Sequence, residues 1–257
     1  MLKVTILGTG TSQGVPVIGC NCDVCTSSDP RDNRTRTSAL ISSDTTNVLI
    51  DIGPDFRQQM LREKVSDLHG VLLTHEHNDH VSGLDDIRPI NFLHRKDIKL
   101  YGLARTLDLL KARFSYVFDE EYDYPGKPRV LVEDIDMETN LRIGDIDLTS
   151  VGIMHGGLPI LGFRVQNFCY ITDAKTIDPD QMQKLTGIDT LVINALHHNR
   201  HYSHLNLNEA LAMIERIQPR QAYLIHISHN MGLAEEVEQM LPEHVHLAYD
   251  GLVLDID

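Results

Sequence analysis

Short apolar runs, separated by glycine-rich and polar turns, dominate the hydrophobic pattern of the chain. Runs of β-branched and aliphatic residues predict strands at 4–7, 39–42, 48–51, 71–73, 98–101, 130–132, 146–151, 161–165, 168–172, 191–193, 221–225, 244–248 and 252–254. Apolar residues at helical spacing predict helices at 56–63, 84–93, 103–114, 207–217 and 233–240. Strands and helix–strand units recur in both halves, and the last two strands are expected to form a closing hairpin. The order predicts one α/β domain over residues 1–257, with two similar β-rich halves arranged as a four-layer αββα sandwich.

A dense group of potential metal ligands follows the predicted strand at 71–73. It reads Thr74-His75-Glu76-His77-Asn78-Asp79-His80. Imidazole nitrogens and carboxylate oxygens are the ligands that zinc and similar divalent ions accept. An extended segment places His75 and His77 on one side of the chain, whereas Asp79 and His80 are adjacent and point to a second position. Asp79 is also predicted to cap a helix that starts near His80, where Gly83 permits close packing.

Further candidate ligands stand just past later apolar strands. The two candidates of this kind are His155 and Asp173. After the strand at 221–225, His226 and His229 are three residues apart and can face different neighbours. Strand-end loops of one sheet can converge on one site, although each residue alone is more often a cap or a hydrogen-bonded polar group. Asp51 also lies at a strand end, where it is expected either to cap a helix or to orient a metal-binding histidine through the second ring nitrogen.

Three of the four cysteines lie together as Cys20-Asn21-Cys22-Asp23-Val24-Cys25. In a chain that is expected to be cytosolic, this spacing favours metal binding over a disulfide. The surrounding segment, 19–37, has little apolar content, so a metal would supply the order that a core cannot. The pattern predicts a structural Cys₃His zinc whose fourth ligand comes from elsewhere, with free thiols as the alternative. Cys169, in an apolar run, is expected to be a buried small residue.

Three polar segments remain open to two interpretations each. The glycine-rich loop at 8–16 is either a tight turn or an anion-binding loop, and it lacks the lysine of a nucleotide-binding motif. The cluster of Arg31, Arg34 and Arg36 is either solvated or directed at substrate. The acidic loop at 119–126 either covers a pocket or is solvated.

The composition excludes several classes of protein. The formal net charge of −14 repels polyanions, and no basic face is visible, so a nucleic-acid partner is not expected. No apolar run approaches the length of a membrane span, and the N-terminus lacks the apolar core of a signal peptide. We therefore expect a cytoplasmic protein without a membrane partner.

With His75-x-His77-x-Asp79-His80 followed by His155, Asp173 and His226, the chain resembles the metallo-β-lactamase superfamily over essentially its whole length. The resemblance implies two catalytic divalent metals, zinc or manganese. It places His75, His77 and His155 on one metal and Asp79, His80 and His226 on the other, with Asp173 bridging them.

Within this superfamily, the loop at 8–16, the cysteine cluster and His226-Ile227-Ser228-His229 resemble the PhnP-type phosphodiesterases. Those are accessory enzymes of carbon–phosphorus lyase pathways that open a ribosyl cyclic phosphate. The resemblance implies that His229 completes the structural zinc site, that His204 is the general acid, and that the chain forms a homodimer. One departure is Asn194, where an acidic residue is expected.

The resulting hypothesis is a metal-dependent phosphodiesterase that opens small cyclic phosphodiesters of the ribosyl or 2′,3′-cyclic nucleotide type. A hydroxide shared by the two metals would attack phosphorus, the glycine-rich loop would help to stabilise the charge, and Asp79 and His204 would be catalytic. His197, His198 and His201 could compete with His204, and Arg200 could bind phosphate; all four could instead form a polar surface loop. The alternatives are a tRNA 3′-processing-type nuclease, a thioester or lactone hydrolase, and a non-catalytic accessory protein of cofactor biosynthesis.

Overall fold

The structure, a computed structural model, describes residues 2–119, 121–122 and 124–256. Within these residues fourteen strands form two sheets. In chain order they are β1 (Leu2–Gly8), β2 (Ser38–Ser42), β3 (Asn47–Ile50), β4 (Gly70–Leu72), β5 (Ile98–Gly102), β6 (Val130–Asp134), β7 (Asn140–Ile143), β8 (Ile146–His155), β9 (Leu158–Val165), β10 (Phe168–Ile171), β11 (Thr190–Asn194), β12 (Gln221–Ile225), β13 (Val245–Leu247) and β14 (Leu252–Ile256).

The two sheets share one pattern of strand directions. The first has the order β14-β1-β2-β3-β4-β5-β6 and the second the order β13-β12-β11-β10-β9-β8-β7. In the first sheet, pairs from β14 to β3 are antiparallel and pairs from β3 to β6 are parallel. In the second, pairs from β7 to β10 are antiparallel and pairs from β10 to β13 are parallel. The prediction of two similar β-rich halves is confirmed.

Eight α-helices lie among the described residues. They are α1 (Phe56–Glu63), α2 (Asn78–Val81), α3 (Arg88–His94), α4 (Ala104–Arg113), α5 (Ser115–Phe118), α6 (Pro179–Gln183), α7 (Leu207–Ile217) and α8 (Ala234–Glu238). Helix α7 has the predicted bounds because its local signals agree. Asn206 accepts from the backbone N–H of Glu209, whose side chain accepts from the N–H of Asn206, and this reciprocal capping box fixes the first turn.

Three apolar cores account for the four layers. One lies between the sheets and contains side chains such as Ile41 and Ile50 of the first sheet and Phe163 and Tyr170 of the second. A second packs the outer face of the first sheet against α1 to α4. A third packs the outer face of the second sheet against α6 to α8. Each sheet thus buries both of its faces, which confirms the predicted αββα sandwich. Among the described residues, no helix combines the length and the apolar character that crossing a bilayer requires.

The sequence-based assignment was wrong at several elements. The last two strands do not form a hairpin: β13 pairs with β12, whereas β14 pairs with β1 in the other sheet. Strand β7 and helices α5 and α6 were not predicted. The helix predicted at 84–93 is a 3-10 turn, Leu84–Ile87, followed by α3.

The predicted N-cap at Asp79 was also wrong, because His77 is the N-cap residue of α2 and Asp79 lies in its first turn. The predicted close packing at Gly83 is present. A Cβ atom on Gly83 would lie 2.1 Å from the carbonyl oxygen of Gly53, and a Cβ atom on Gly53 would lie 2.2 Å from that of Asp79. These two glycines let the segment with the histidine motif lie directly on the loop after β3.

Candidate metal centre

The predicted ligands converge where strand ends of both sheets meet. Asp51 follows β3, the histidine motif follows β4, His155 is the last residue of β8, Asp173 follows β10, and His226 follows β12. Asp51, Asp173 and His226 have φ values of 60°, 55° and 55°. Non-glycine residues adopt this left-handed backbone at an energetic cost, so the surrounding fold holds these three side chains in place.

The first group of ligands consists of His75, His77 and His155, whose ring nitrogens lie within 4.8 Å of one another. His75 Nε2 is 3.0 Å from His77 Nδ1. His155 directs its Nδ1–H at the carbonyl oxygens of Asp173, at 2.8 Å, and Ser203, at 2.9 Å. Burial lowers the pKa of His75 and His77, so both rings are neutral, the form that binds a metal.

The second group consists of Asp79, His80 and His226. Asp79 Oδ2 is 3.2 Å from His80 Nε2 and 3.6 Å from His226 Nε2. Burial alone would lower the pKa of His80, but the carboxylates of Asp79, Asp51 and Asp173 outweigh it and raise that pKa well above its usual range. The same carboxylates that attract a proton to this ring favour a metal cation beside it.

Asp173 lies between the two groups. Its Oδ1 is 3.5 Å from His80 Nε2, and its Oδ2 is 3.3 Å from His226 Nε2 and 3.9 Å from His75 Nε2. Burial would raise the pKa of Asp173, but the imidazoles of His226 and His80 outweigh it and lower that pKa. The carboxylate is therefore ionised and within reach of both ligand groups.

The hydrogen bonding of the cluster fits metal cations. In the part of the chain that the structure describes, His80 Nε2, both ring nitrogens of His226 and His204 Nδ1 are buried without a hydrogen-bond partner. Unpaired buried nitrogens are costly in a folded protein, and metal coordination would satisfy Nε2 of His80 and Nε2 of His226. The donor set, neutral imidazoles with ionised carboxylates, suits zinc or manganese.

Asp51 orients a ligand of each group. His80 Nδ1 donates to Asp51 Oδ2 at 2.6 Å, and the hydroxyl of Thr74 donates to the same oxygen at 2.8 Å. Thr74 Oγ1 in turn lies 2.9 Å from His75 Nδ1, so that nitrogen is the donor. Both rings thereby direct Nε2 at the centre. The structure thus places Asp51 in the orienting position that the sequence left open, and it is not a helix cap.

Asp51→Asn is expected to weaken metal binding by about 10- to 100-fold, the usual cost of losing such an orienting partner. An amide NH₂ at the position of Oδ2 cannot accept from His80 Nδ1–H, so the ring favours the tautomer with its proton on Nε2. Asparagine tolerates the positive φ of this position. Competition with a coloured chelator measures the affinity, and Asp44→Asn in an exposed turn is the control. Unchanged affinity would contradict the orienting role.

The sequence analysis missed the role of two threonines, each of which directly precedes a ligand. Besides the contacts of Thr74, Thr172 Oγ1 donates to Asp173 Oδ1 at 2.5 Å. Thr74 stands directly before His75, just as Thr172 stands directly before Asp173. A hydroxyl residue between an apolar strand and a ligand was the available signal.

The cysteine cluster meets a histidine as the resemblance implied. The Sγ atoms of Cys20, Cys22 and Cys25 lie 3.3, 3.4 and 3.5 Å from His229 Nδ1. The backbone of Cys25 and the imidazole of His229 lower the pKa of Cys22 to about 6, which favours the thiolate form. Three sulfurs and one ring nitrogen at these separations fit a closed tetrahedral zinc site. Cys169 is fully buried, as expected.

The glycine-rich loop is a structural turn that lies between the histidine–aspartate ligand cluster and the cysteine site. Thr11 N–H donates to the carbonyl oxygen of Ile227, and Ile227 N–H donates to that of Thr9, so the loop pairs with the segment between His226 and His229. The N–H groups of Gly10, Thr11, Gly14 and Val15 all donate to backbone carbonyls. These four groups are therefore committed within the fold, and the expected stabilisation of a phosphate by them is not supported.

The remaining candidate residues have distinct surroundings. His204 is buried, with its ring centroid 4.6 Å from that of His155 and 4.7 Å from that of His226. His201 is next to it, at 5.0 Å, and its pKa is lowered by burial and by His197. His198 bonds the carbonyl oxygen of Met231, and Arg200 is exposed. His204 is thus the member of this segment that lies against the ligand cluster.

Among the described residues of the two charged segments, no hydrogen bond or ion pair involves the metal-ligand cluster. Arg34 is buried and donates to Thr9 Oγ1 and to the carbonyl oxygen of Ala248, so its role is structural. Arg31 pairs with Asp29, and Arg36 pairs with Asp55. In the acidic loop at 119–126, Glu120 and Asp123 lie outside the described residues, and Tyr122 and Tyr124 are exposed.

The departure at Asn194 has a local explanation. Its buried side-chain amide accepts from the N–H of Ala174 at 2.6 Å and donates to the carbonyl oxygen of Ala174 at 3.1 Å. A carboxylate could make only the first of these bonds. Asn194 therefore fixes the backbone immediately after Asp173.

Comparison with known proteins agrees with the site. The family model of the beta-lactamase superfamily domain matches residues 46–227. The crystal structure of a diphosphatase from the PhnP family superposes with a TM-score of 0.93 at 36% identity, covering 100% of this chain and 98% of that chain. The chain belongs to the metallo-β-lactamase superfamily, and within it to the PhnP family.

Two relatives of this PhnP-family chain have other names. An octanoyltransferase of Porphyromonas gingivalis is 41% identical over 258 residues, covering 100% of this chain and 52% of the relative, so the chain spans about half the length of that protein. Coenzyme PQQ synthesis protein B of Methylorubrum populi is 30% identical over 229 residues, covering 75% of this chain and 72% of the relative. The relatives thus differ in the activity that their names state.

Proposed function

We propose that the chain is a dinuclear metal-dependent phosphodiesterase that opens small cyclic phosphodiesters of the ribosyl or 2′,3′-cyclic nucleotide type. The observation that carries this proposal is the position of Asp173, whose carboxylate lies within 4 Å of histidines from both ligand groups. Two adjacent cations that share a carboxylate suit the displacement of one oxygen at phosphorus by another.

The residues divide between three metals. His75, His77 and His155 would hold one catalytic cation, and Asp79, His80 and His226 would hold the other, with the carboxylate of Asp173 within reach of both groups. Zinc or manganese would suit these donors. Cys20, Cys22, Cys25 and His229 would hold a structural zinc. When bound, the catalytic pair supplies Lewis acidity, which activates water and neutralises charge on the phosphoryl oxygens.

His204 gives a proton to the leaving oxygen. Hydrolysis adds the elements of water across one P–O bond: the hydroxyl goes to phosphorus and the proton to the departing alkoxide. His204 Nδ1 is 3.7 Å from Asp173 Oδ2, which places the ring beside the reacting centre. Burial and the imidazole of His226 lower the pKa of His204 to about 2. A phosphodiester anion bound against this ring favours its protonated form, so substrate binding and protonation are coupled.

The charge of the chain supports a small substrate. A net charge of −14 repels a polyanion such as tRNA, whereas a single phosphodiester carries one negative charge that two cations can neutralise. A second candidate function is cleavage of a small diphosphate, which the similarity to the PhnP-family diphosphatase supports. Both reactions break a P–O bond at the same centre and differ in the leaving group.

A substrate panel tests the proposal. The chain reconstituted with zinc or manganese is assayed on ribosyl 1,2-cyclic phosphate, a 2′,3′-cyclic nucleotide, a diphosphate ester, an octanoyl thioester and a precursor tRNA. We expect the highest kcat/KM on a cyclic phosphodiester. A preference for the diphosphate supports the second candidate. Turnover of the thioester alone, which the octanoyltransferase relative makes worth testing, would refute phosphoryl transfer. Salt-sensitive tRNA cleavage would instead favour the nuclease.

A further inference from the structure

Lys175 and Glu209 join the segment that carries Asp173 to the segment that carries His204. Lys175 Nζ donates to the two carboxylate oxygens of Glu209, at 3.0 and 2.8 Å. The same ammonium group lies 3.3 Å from the carbonyl oxygen of His204. One charged side chain, two residues beyond Asp173 in the chain, thus contacts the backbone of the proposed proton donor.

Backbone hydrogen bonds beside this ion pair fix the same two segments. Leu205 N–H donates to the carbonyl oxygen of Ala174 at 2.8 Å, and Leu196 N–H donates to that of Leu205 at 3.0 Å. The carbonyl oxygen of Ser203 accepts from His155 Nδ1. Both neighbours of His204 are therefore fixed: Ser203 contacts the ligand His155, and Leu205 contacts Ala174, which directly follows the ligand Asp173.

Glu209 has more contacts than its helix cap requires. In the capping box of α7 it accepts from the N–H of Asn206 through Oε2 alone, which a glutamine could also do. Its carboxylate also takes both bonds from Lys175, and Arg200 Nε lies 3.8 Å from Oε1. The side chains of Lys175 and Glu209 are only 20% and 27% exposed, so the pair is partly shielded from solvent. The negative charge of Glu209 is therefore not explained by helix capping alone.

We propose that Lys175 and Glu209 are positioning residues for proton transfer, which set the distance between the His204 ring and the leaving oxygen bound beside Asp173. The inference rests on the proposed role of His204 as proton donor. Its physical basis is the steep dependence of catalysis on geometry, since a displacement of about 1 Å can cost about 100-fold in rate. Without the ammonium group, the carbonyl of His204 loses a donor and its segment loses a charged anchor.

The test compares leaving groups in a set of variants. Lys175→Met is expected to lower kcat on a 2′,3′-cyclic nucleotide by about 10- to 100-fold and to change turnover of bis-nitrophenyl phosphate much less, because nitrophenolate departs without a proton donor. Lys175→Arg keeps the charge and should restore most of the loss. Glu209→Gln keeps the helix cap and should give a partial loss. The double variant Lys175→Met/Glu209→Gln should be no worse than Lys175→Met.

The controls separate this inference from the function on which it rests. Lys99→Met breaks an exposed ion pair with Glu133 and should leave both rates unchanged. Bound metal per chain should be unchanged in all variants. Equal losses on both substrates, or no loss, in Lys175→Met would overturn the positioning role, and Glu209→Gln decides the matter if Lys175→Met does not fold. If His204→Ala itself fails to discriminate the two leaving groups, the proton-donor assignment fails and this inference fails with it.

Discussion

Asp173→Asn is expected to remove both catalytic cations at ordinary metal concentrations and to abolish hydrolysis of every substrate. The ionised carboxylate of Asp173 lies within reach of both ligand groups, so its loss weakens two sites at once. The affinity loss should exceed the about 10- to 100-fold that the removal of a mere orienting partner costs. Asparagine is nearly isosteric and tolerates the positive φ at this position, so the fold is expected to survive.

Metal content measured by elemental analysis checks this expectation. The wild-type chain should hold three divalent ions and the variant one, the zinc at Cys20, Cys22, Cys25 and His229. Asp178→Asn is a matched control, because Asp178 is an exposed residue before α6 whose side chain makes no capping bond. A variant that retains three ions, or that hydrolyses bis-nitrophenyl phosphate at the wild-type rate, would show that Asp173 does not bridge the cations.

The elements that the sequence predicted correctly are those whose local signals agree. Helix α7 combines an amphipathic pattern with a complete capping box at Asn206 and Glu209, and its bounds were predicted without error. Strand β7, Asn140–Ile143, has only two apolar residues and gave no comparable signal. The partners of β13 and β14 lie in different sheets, and no local pattern encodes which distant strand a short apolar run will join.

The candidate site divides in a similar way. The histidine motif after β4 was evident because four ligands occur within six residues. The assignment of His155, Asp173 and His226 to particular metals came only through the resemblance to a family. Their convergence depends on strand ends of two sheets and on positive φ values that no composition signal reports. Lys175 and Glu209 were not predicted because an ordinary lysine and an ordinary capping glutamate acquire their positions only in the folded chain.

The contacts in the structure also decided between two interpretations of the glycine-rich loop that the sequence had left open. The glycine-rich loop looked equally suited to a tight turn and to an anion site. Its N–H groups at Gly10, Thr11, Gly14 and Val15 are used by backbone carbonyls, and Gly8 and Gly10 approach the backbone of the segment at 34–36 so closely that a Cβ atom would not fit. These glycines are therefore explained by backbone packing.

His204→Ala is expected to lower turnover of a 2′,3′-cyclic nucleotide by about 100- to 10,000-fold, the range that a positioned general acid contributes. The loss on bis-nitrophenyl phosphate should be far smaller. The ring also lies within 4.8 Å of ligand atoms of His155 and Asp173, so it could instead bind a cation. The two roles predict different metal contents: a proton donor can be removed without loss of metal, whereas a ligand cannot.

Measurement of both rates and of bound metal on the same samples therefore distinguishes the two roles. His201→Ala is the matched control, since its ring lies 5.0 Å from that of His204 but belongs to none of the ligand groups among the described residues. His204 is identified as the acid if its variant loses turnover only on the cyclic nucleotide, whose leaving group is an alkoxide, while the bound metal is unchanged and His201→Ala has nearly normal rates. Equal loss on both substrates together with loss of a catalytic cation would make it a ligand. Burial and the imidazole of His226 lower the pKa of His204, so the leaving-group comparison is made at saturating substrate, where the bound phosphodiester anion favours the protonated ring.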